Sequence, residues 1–337
     1  MLILSNEGHW FGGQAGTISA QWAAQFEQPE AVLKWDLLIG EVRVAGDQLA
    51  VQRGSKASVV TVTPPEVRAR TRMRWVYHLY QRGDGKEIDT GETVVQVYPV
   101  PKADRLKGRL RDRRIAVWDT AGGLADTLAK AGLEFKRIRK AADLQLSRVD
   151  VVLVGPGELG DKVFDQSPLI ALAEAGAGVV LFEQRHPRSL AGYPLMRRTA
   201  AIRPTWRSNH PLMSGLEVDD MQSLLDGPGK EIWAVELPAD EPVLEIGHWP
   251  PVVAGPRPGP VQVVLAIKAV GKGRMIVSQI PLGPWDTDPR TQQFLDNVLG
   301  YLGTRPEPTP RPSERQVTRP VASQPVPTIA IPSGATP

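Results

Sequence analysis

The 337-residue chain contains no cysteine. That excludes disulfides, thiolate metal sites and a cysteine nucleophile together, while leaving the compartment open. It also lacks any apolar run near the ~20 residues that a bilayer-spanning helix needs. Charge of one sign is scarce as well: 40 basic against 37 acidic residues leave a net +3. So small an excess gives no case for nucleic acid or an anionic membrane as a partner. The five histidines are His9, His78, His186, His210 and His248. No two of them have metal-ligand spacing, so no metal is expected. The opening MLILSNEGHW turns polar too soon for a signal peptide. The expectation is a cytoplasmic chain, or a piece of a longer exported protein, periplasmic or extracellular, whose signal lies elsewhere.

What is present changes character along the chain. Residues 1–29 show no clear period. Residues 30–101 read as β: VLKWDLL, EVRVA, QLAVQ and ASVVTVT are short, rich in β-branched residues and punctuated by Gly40, Gly46 and Gly54. In VRARTRMRWVYHLYQ (67–81), Val67, Ala69, Thr71, Met73, Trp75, Tyr77 and Leu79 alternate with Arg68, Arg70, Arg72 and Arg74. That is the period of a half-buried strand. Regular short strands predict an antiparallel sandwich over 30–101. The arginine face is expected to be solvated or docked on an acidic neighbour; binding an acidic polymer is the alternative. A charged linker follows at 102–114.

From residue 115 the runs become continuously apolar: IAVW, VDVVLV and GVVLF, separated by helical patterns such as DTAGGLADTLAKAG and PLIALAEAGAG. Strand, helix, strand, helix, strand predicts right-handed crossovers. The expected fold of 115–303 is therefore a doubly wound, mostly parallel α/β domain, closed by an amphipathic helix at PRTQQFLDNVLGYL. From 304 to 337 prolines recur with few apolar anchors, which predicts a disordered or polyproline-II tail.

Two stretches carry candidate chemistry. GPGELG puts Gly155, Gly157 and Gly160 in dinucleotide-fingerprint spacing directly after a strand. Three details oppose that reading: the motif follows the second strand of its series, DKVFDQS delays the helix, and Pro156 removes a backbone N–H. No cofactor is expected. The turn FEQRHP offers Glu183 as a base, His186 as an acid and Arg185 as an anion clamp. Asp119, Glu158 and Asp286 also fall near strand ends, where two carboxylates facing one bond would suit glycoside hydrolysis. No small nucleophile and no Gly-x-Ser-x-Gly elbow accompanies them.

The segments VDVVLVGPGEL, LIALAEAGAGVVLFEQ, NHPLMSGL and GKGRMIVSQIPLG resemble the glutamine-amidotransferase-like domains attached to bacterial glycoside hydrolases. Those include family 2-type enzymes and family 42-type β-galactosidases. The resemblance spans about 115–302. It implies a flavodoxin-like class I amidotransferase fold, preceded over 30–101 by an immunoglobulin-like domain. Such amidotransferases use a cysteine nucleophile with His and Glu partners. Here Glu183 stands near that cysteine's place, so the resemblance implies a scaffold without the chemistry. No (β/α)8 barrel, which needs ~250 residues, fits in the parallel region. The function expected is a non-catalytic accessory portion, structural or carbohydrate-associated, of a glycoside-hydrolase-like protein. Its expected partners are a carbohydrate, a catalytic glycosidase domain or further copies of itself. A hydrolase using Asp119, Glu158 and Glu183, and a nucleotide-binding module at 155–160, are the alternatives.

Overall fold

The computed structural model describes residues 2–6, 8–22, 30–52, 57–100, 108, 110, 112–140, 142–145, 148–160, 166–185, 189–198, 203–226, 231–249, 259–283, 285 and 287–304. Most of the linker expected at 102–114, and the proline-rich tail from 305 on, lie outside these residues.

The first part of the chain forms eight strands: β1 (Leu2–Asn6), β2 (His9–Phe11), β3 (Gly16–Trp22), β4 (Ala31–Ile39), β5 (Val42–Val51), β6 (Ala57–Val62), β7 (Thr71–Gln81) and β8 (Glu87–Tyr98). They make a three-stranded sheet, β1-β3-β6, and a five-stranded sheet, β2-β8-β7-β4-β5. The alternation in β7 determines what is buried. Met73, Trp75, Tyr77 and Leu79 enter one core with Ile18, Val60 and Val62 of the smaller sheet. Each side chain of that size removed from water contributes about 1.5–3 kcal/mol. Arg72, on the other face, is exposed. In the larger sheet the strands from 30–101 pair antiparallel with one another, while β2, from ahead of that range, runs parallel to β8. After β2 the chain turns through Gly12 and Gly13 into β3, which belongs to the other sheet, so β2 has no hairpin partner. The unpatterned first 29 residues thus supply three strands.

The second part holds β9 (Ile115–Trp118), α1 (Gly123–Lys130), β10 (Lys136–Ile138), α2 (Ala142–Gln145), β11 (Val151–Val154), α3 (Ser167–Glu174) and β12 (Gly178–Leu181). There follow β13 (Ser189–Leu190), β14 (Tyr193–Arg198), β15 (Thr205–Trp206), a 3₁₀ turn (Pro211–Met213) and α4 (Val218–Leu225). The remainder is β16 (Ile232–Leu237), β17 (Val243–Trp249), β18 (Val261–Val270), β19 (Gly273–Ser278) and α5 (Pro289–Gly303). β11 and β12 lie side by side and parallel.

The doubly wound, mostly parallel α/β domain expected here does not form. The structure is mostly β, 45% strand against 19% helix, with curled mixed sheets that form half-barrels. In the eleven-stranded sheet only β10-β9-β11-β12-β19 run parallel; every pairing among β13–β18 is antiparallel, as is β18 with β19. The difference has a physical cause. A continuous apolar run reports that both faces of a strand are covered, and does not report its direction. Direction comes from the connection. β18 (VQVVLAIKAV) is buried along most of its length, yet it returns into β19 through only Gly271 and Lys272. A link that short permits only an antiparallel pair. Gly271 has φ +55°, and a Cβ there would sit 2.6 Å from the Glu174 Cα.

One core packs α1, α4 and α5 against the sheet through Leu124, Leu128, Leu224, Phe294 and Val298. Phe11 of β2 and Tyr98 of β8 belong to this same core. The first part of the chain is therefore docked on the second.

Candidate functional site

Strands β9, β11, β12 and β19 run parallel, so their carboxyl ends share one edge of the sheet. The anticipated site residues follow these ends. Asp119 leaves β9 buried, and its Oδ2 accepts from the Ala125 N–H at 2.8 Å. It thereby caps α1, whose N-cap Gly122 has φ 88° and no side chain to do so. Glu158, beyond β11, accepts from the Thr120 N–H at 2.6 Å and from Thr120 Oγ1 at 2.8 Å.

Glu183 ends the β12 segment with 6% exposure. Arg185 clasps it, with Nε at 2.9 Å from Oε1 and Nη2 at 3.3 Å from Oε2. The same contact raises the Arg185 pKa above its ordinary value. His186 and Asp286 lie outside the described residues. Sequence reasoning passed over Gln184, which is fully buried. Its Nε2 donates to the carbonyls of Gly155 (2.8 Å) and Phe182 (2.6 Å), and its Oε1 accepts from the Leu159 N–H at 3.0 Å. Its own N–H donates to Gln279 Oε1 at 3.0 Å. Gln184 is the pin of this turn.

The glycine motif also serves the turn. A Cβ on Gly155 would stand 2.8 Å from Asp119 Oδ1, and Gly157 has φ +73° with open space around it. A phosphate cradle needs unspent backbone N–H groups. Here the N–H of Thr120 is taken by Glu158, that of Ala125 by Asp119, that of Gly157 by the Glu183 carbonyl and that of Leu159 by Gln184. The structure brings Gly155, Asp119, Gln184 and Glu183 into one bonded turn. Each of the three anticipated carboxylates there has its own partner within the chain. Among the described residues, no group of three or more His, Asp or Glu side chains is placed to hold a metal ion. None of their helices is long and apolar enough to cross a membrane.

A second cluster, at the joint between the two parts, is built on one arginine of the face expected to be solvated or docked on an acidic neighbour. Arg70 Nη2 donates to Asp220 Oδ1 at 3.0 Å, Arg70 Nε donates to Tyr98 Oη at 3.2 Å, and Arg70 Nη1 bonds Glu217. Arg290 holds Asp288 through two nitrogens and reaches Ser223 Oγ at 2.6 Å. His9 sits between these groups. Burial first, then Arg290, lower its pKa to about 4. Burial pushes Tyr98 well above its ordinary value. Burial also acts to raise Asp288, but its bonds from Arg290 outweigh that and hold it below the usual carboxylate range. The signals available in the sequence were Arg70 within the arginine alternation and two helix starts, Glu217-x-x-Asp220 and Asp288-Pro289.

No family model and no curated protein matches the chain. Among solved structures, one of murine CRIg aligns with 30% of this chain and 99% of its own, at 8% identity and a TM-score of 0.22. A likeness of that size carries no argument about fold or function.

Proposed function

We propose that this chain is a non-catalytic accessory module, structural or carbohydrate-associated, of a glycoside-hydrolase-like protein. The observation that carries the non-catalytic reading is the state of the strand-end carboxylates. Asp119 caps a helix, Glu158 holds the Thr120 turn, and Glu183 is clasped by Arg185. A general acid or base must exchange its proton with a substrate at hydrogen-bond distance. Carboxylates committed to donors of their own chain are better suited to shaping the rim than to working on a ligand. The filled N–H positions argue in the same way against a nucleotide. The carbohydrate association rests on the sequence resemblance alone, and a carbohydrate surface, a catalytic partner domain and self-association belong to the same reading.

The test is hydrolysis of aryl-glycosides and aryl-esters by the purified chain, with oligosaccharide affinity measured in parallel by calorimetry. No turnover is expected. Turnover that is lost in Asp119→Asn or Glu183→Gln, with the fold intact, replaces this reading with a hydrolase.

A further inference from the structure

His9, on β2, is surrounded by groups from four other places in the fold. Its Nδ1 lies 3.4 Å from Tyr98 Oη at the end of β8 and 3.9 Å from Asp220 Oδ1 on α4. Arg70, just ahead of β7, bonds both of those groups and Glu217, which precedes α4. From the side of α5 come Arg290 and Asp288, bonded to each other with nitrogen–oxygen distances of 2.6 and 3.0 Å. The side chains of His9 and Arg70 are 14% exposed, those of Asp288 and Arg290 13%, and that of Asp220 1%. Two guanidiniums and two carboxylates are thus already matched in a nearly dry seam, with Glu217 at its wet edge. Of these groups only His9 has an unperturbed pKa between 5 and 8.

We infer that the seam is an acid-sensitive latch: protonation of His9 loosens the docking of the N-terminal sheets on α4 and α5, letting β2, the end of β8 and the start of α4 fray while the rest of both parts stays folded. The step goes beyond the accessory reading, since it gives the module a change of shape. A proton on His9 adds a third cation to a poorly solvated site whose carboxylates are engaged, and that costs free energy only while the seam is closed. Docked, His9 titrates at about 4. Opened to water, it returns to about 6.5. The open form therefore binds more protons between these values, and acidification through that window favours it. The gap caps the change in the open-to-docked ratio at roughly 300-fold, with roughly 30-fold reached by pH 5.

The experiment is amide hydrogen exchange on the full chain at pH 7.5 and pH 5, corrected for intrinsic exchange rates. Peptides covering β2, the end of β8 and the start of α4 should lose protection by roughly 30-fold, while those covering β11 and β12 hold theirs. His9→Phe should remove the acid response, and His210→Asn should leave it in place. A seam response below twofold overturns the inference, as does one that survives His9→Phe or vanishes with His210→Asn. Should His9→Phe fail to fold, NMR titration of His9 in the unaltered chain decides. A midpoint below 5 supports the latch, and any higher midpoint sinks it.

Discussion

Arg70 and Asp220, 150 positions apart in sequence, meet at 3.0 Å. The contact joins the segment ahead of β7 to α4, and Asp220 is buried at 1% side-chain exposure. Arg70→Gln leaves that carboxylate without its counter-charge. The expected cost is about 3–5 kcal/mol, read from urea denaturation at pH 7. Replacing both residues by apolar ones of similar volume, as in Arg70→Met with Asp220→Leu, should recover a large part of it. A single-variant cost under about 0.5 kcal/mol, the level of an exposed pair, would show that the contact does not hold in solution.

Glu183→Gln separates a structural role from a chemical one. Its carboxylate is buried and accepts two bonds from Arg185. The amide keeps one acceptor and turns an NH2 toward the guanidinium. A loss of roughly 1–3 kcal/mol in unfolding free energy is expected, with no change in aryl-glycoside or aryl-ester signal. A fall of about 100-fold in a measurable turnover, at unchanged stability, marks Glu183 as a catalyst instead.

Two glycines of one motif should respond to alanine for different reasons. At Gly155 the new Cβ meets Asp119 Oδ1 at 2.8 Å and dislodges the cap on α1; a lost cap costs about 0.5–2 kcal/mol, before any strain. At Gly157 there is space, but φ is +73°, so the cost is backbone strain of about 1–2 kcal/mol. Circular dichroism melts give the magnitudes. The discriminating measurement is amide exchange at Ala125, which should accelerate in Gly155→Ala and stay unchanged in Gly157→Ala.

His210 makes global stability depend on pH. It is buried, its Nδ1 accepts from the Leu212 N–H at 3.2 Å, and its ring lies 5.2 Å from that of Tyr301. Burial first, then Arg207, lower its pKa to about 4. Unfolded, it titrates near 6.5. The unfolded chain therefore binds more protons between these values, so this contribution is complete above pH 6.5 and is lost as pH falls toward 4. Tm should drop over that range, and His210→Asn, which keeps an acceptor for Leu212 without titrating, should flatten the slope. An unaltered slope in that variant assigns the dependence to other groups.

By itself the sequence determined where strands and helices lie wherever burial repeats with a local period. The two-residue alternation in β7 located Met73, Trp75, Tyr77 and Leu79 in a core. The uninterrupted apolar runs of β9, β11 and β12 marked strands covered on both faces, and PRTQQFLDNVLGYL marked α5. These patterns record each residue's own surroundings, and a period reads them directly. Tertiary structure alone decided direction and partnership. The antiparallel course of β13–β18 depends on short links and on which strand is already in place, neither of which alters the apolar pattern. The use of β2 and β3 depends on pairing with β8 and β6, far along the chain, and β1 in turn pairs with β3. Asp119, Glu158 and Glu183 look like reactive groups in isolation, and become a cap, a turn clasp and half of an ion pair only through Ala125, Thr120 and Arg185. His9 carries no distinguishing pattern at all; Arg70, Asp220 and Arg290 reach it from up to 281 positions away. A charge's energy depends on the distance to other charges and to water, and folding sets those distances after every local preference has been spent.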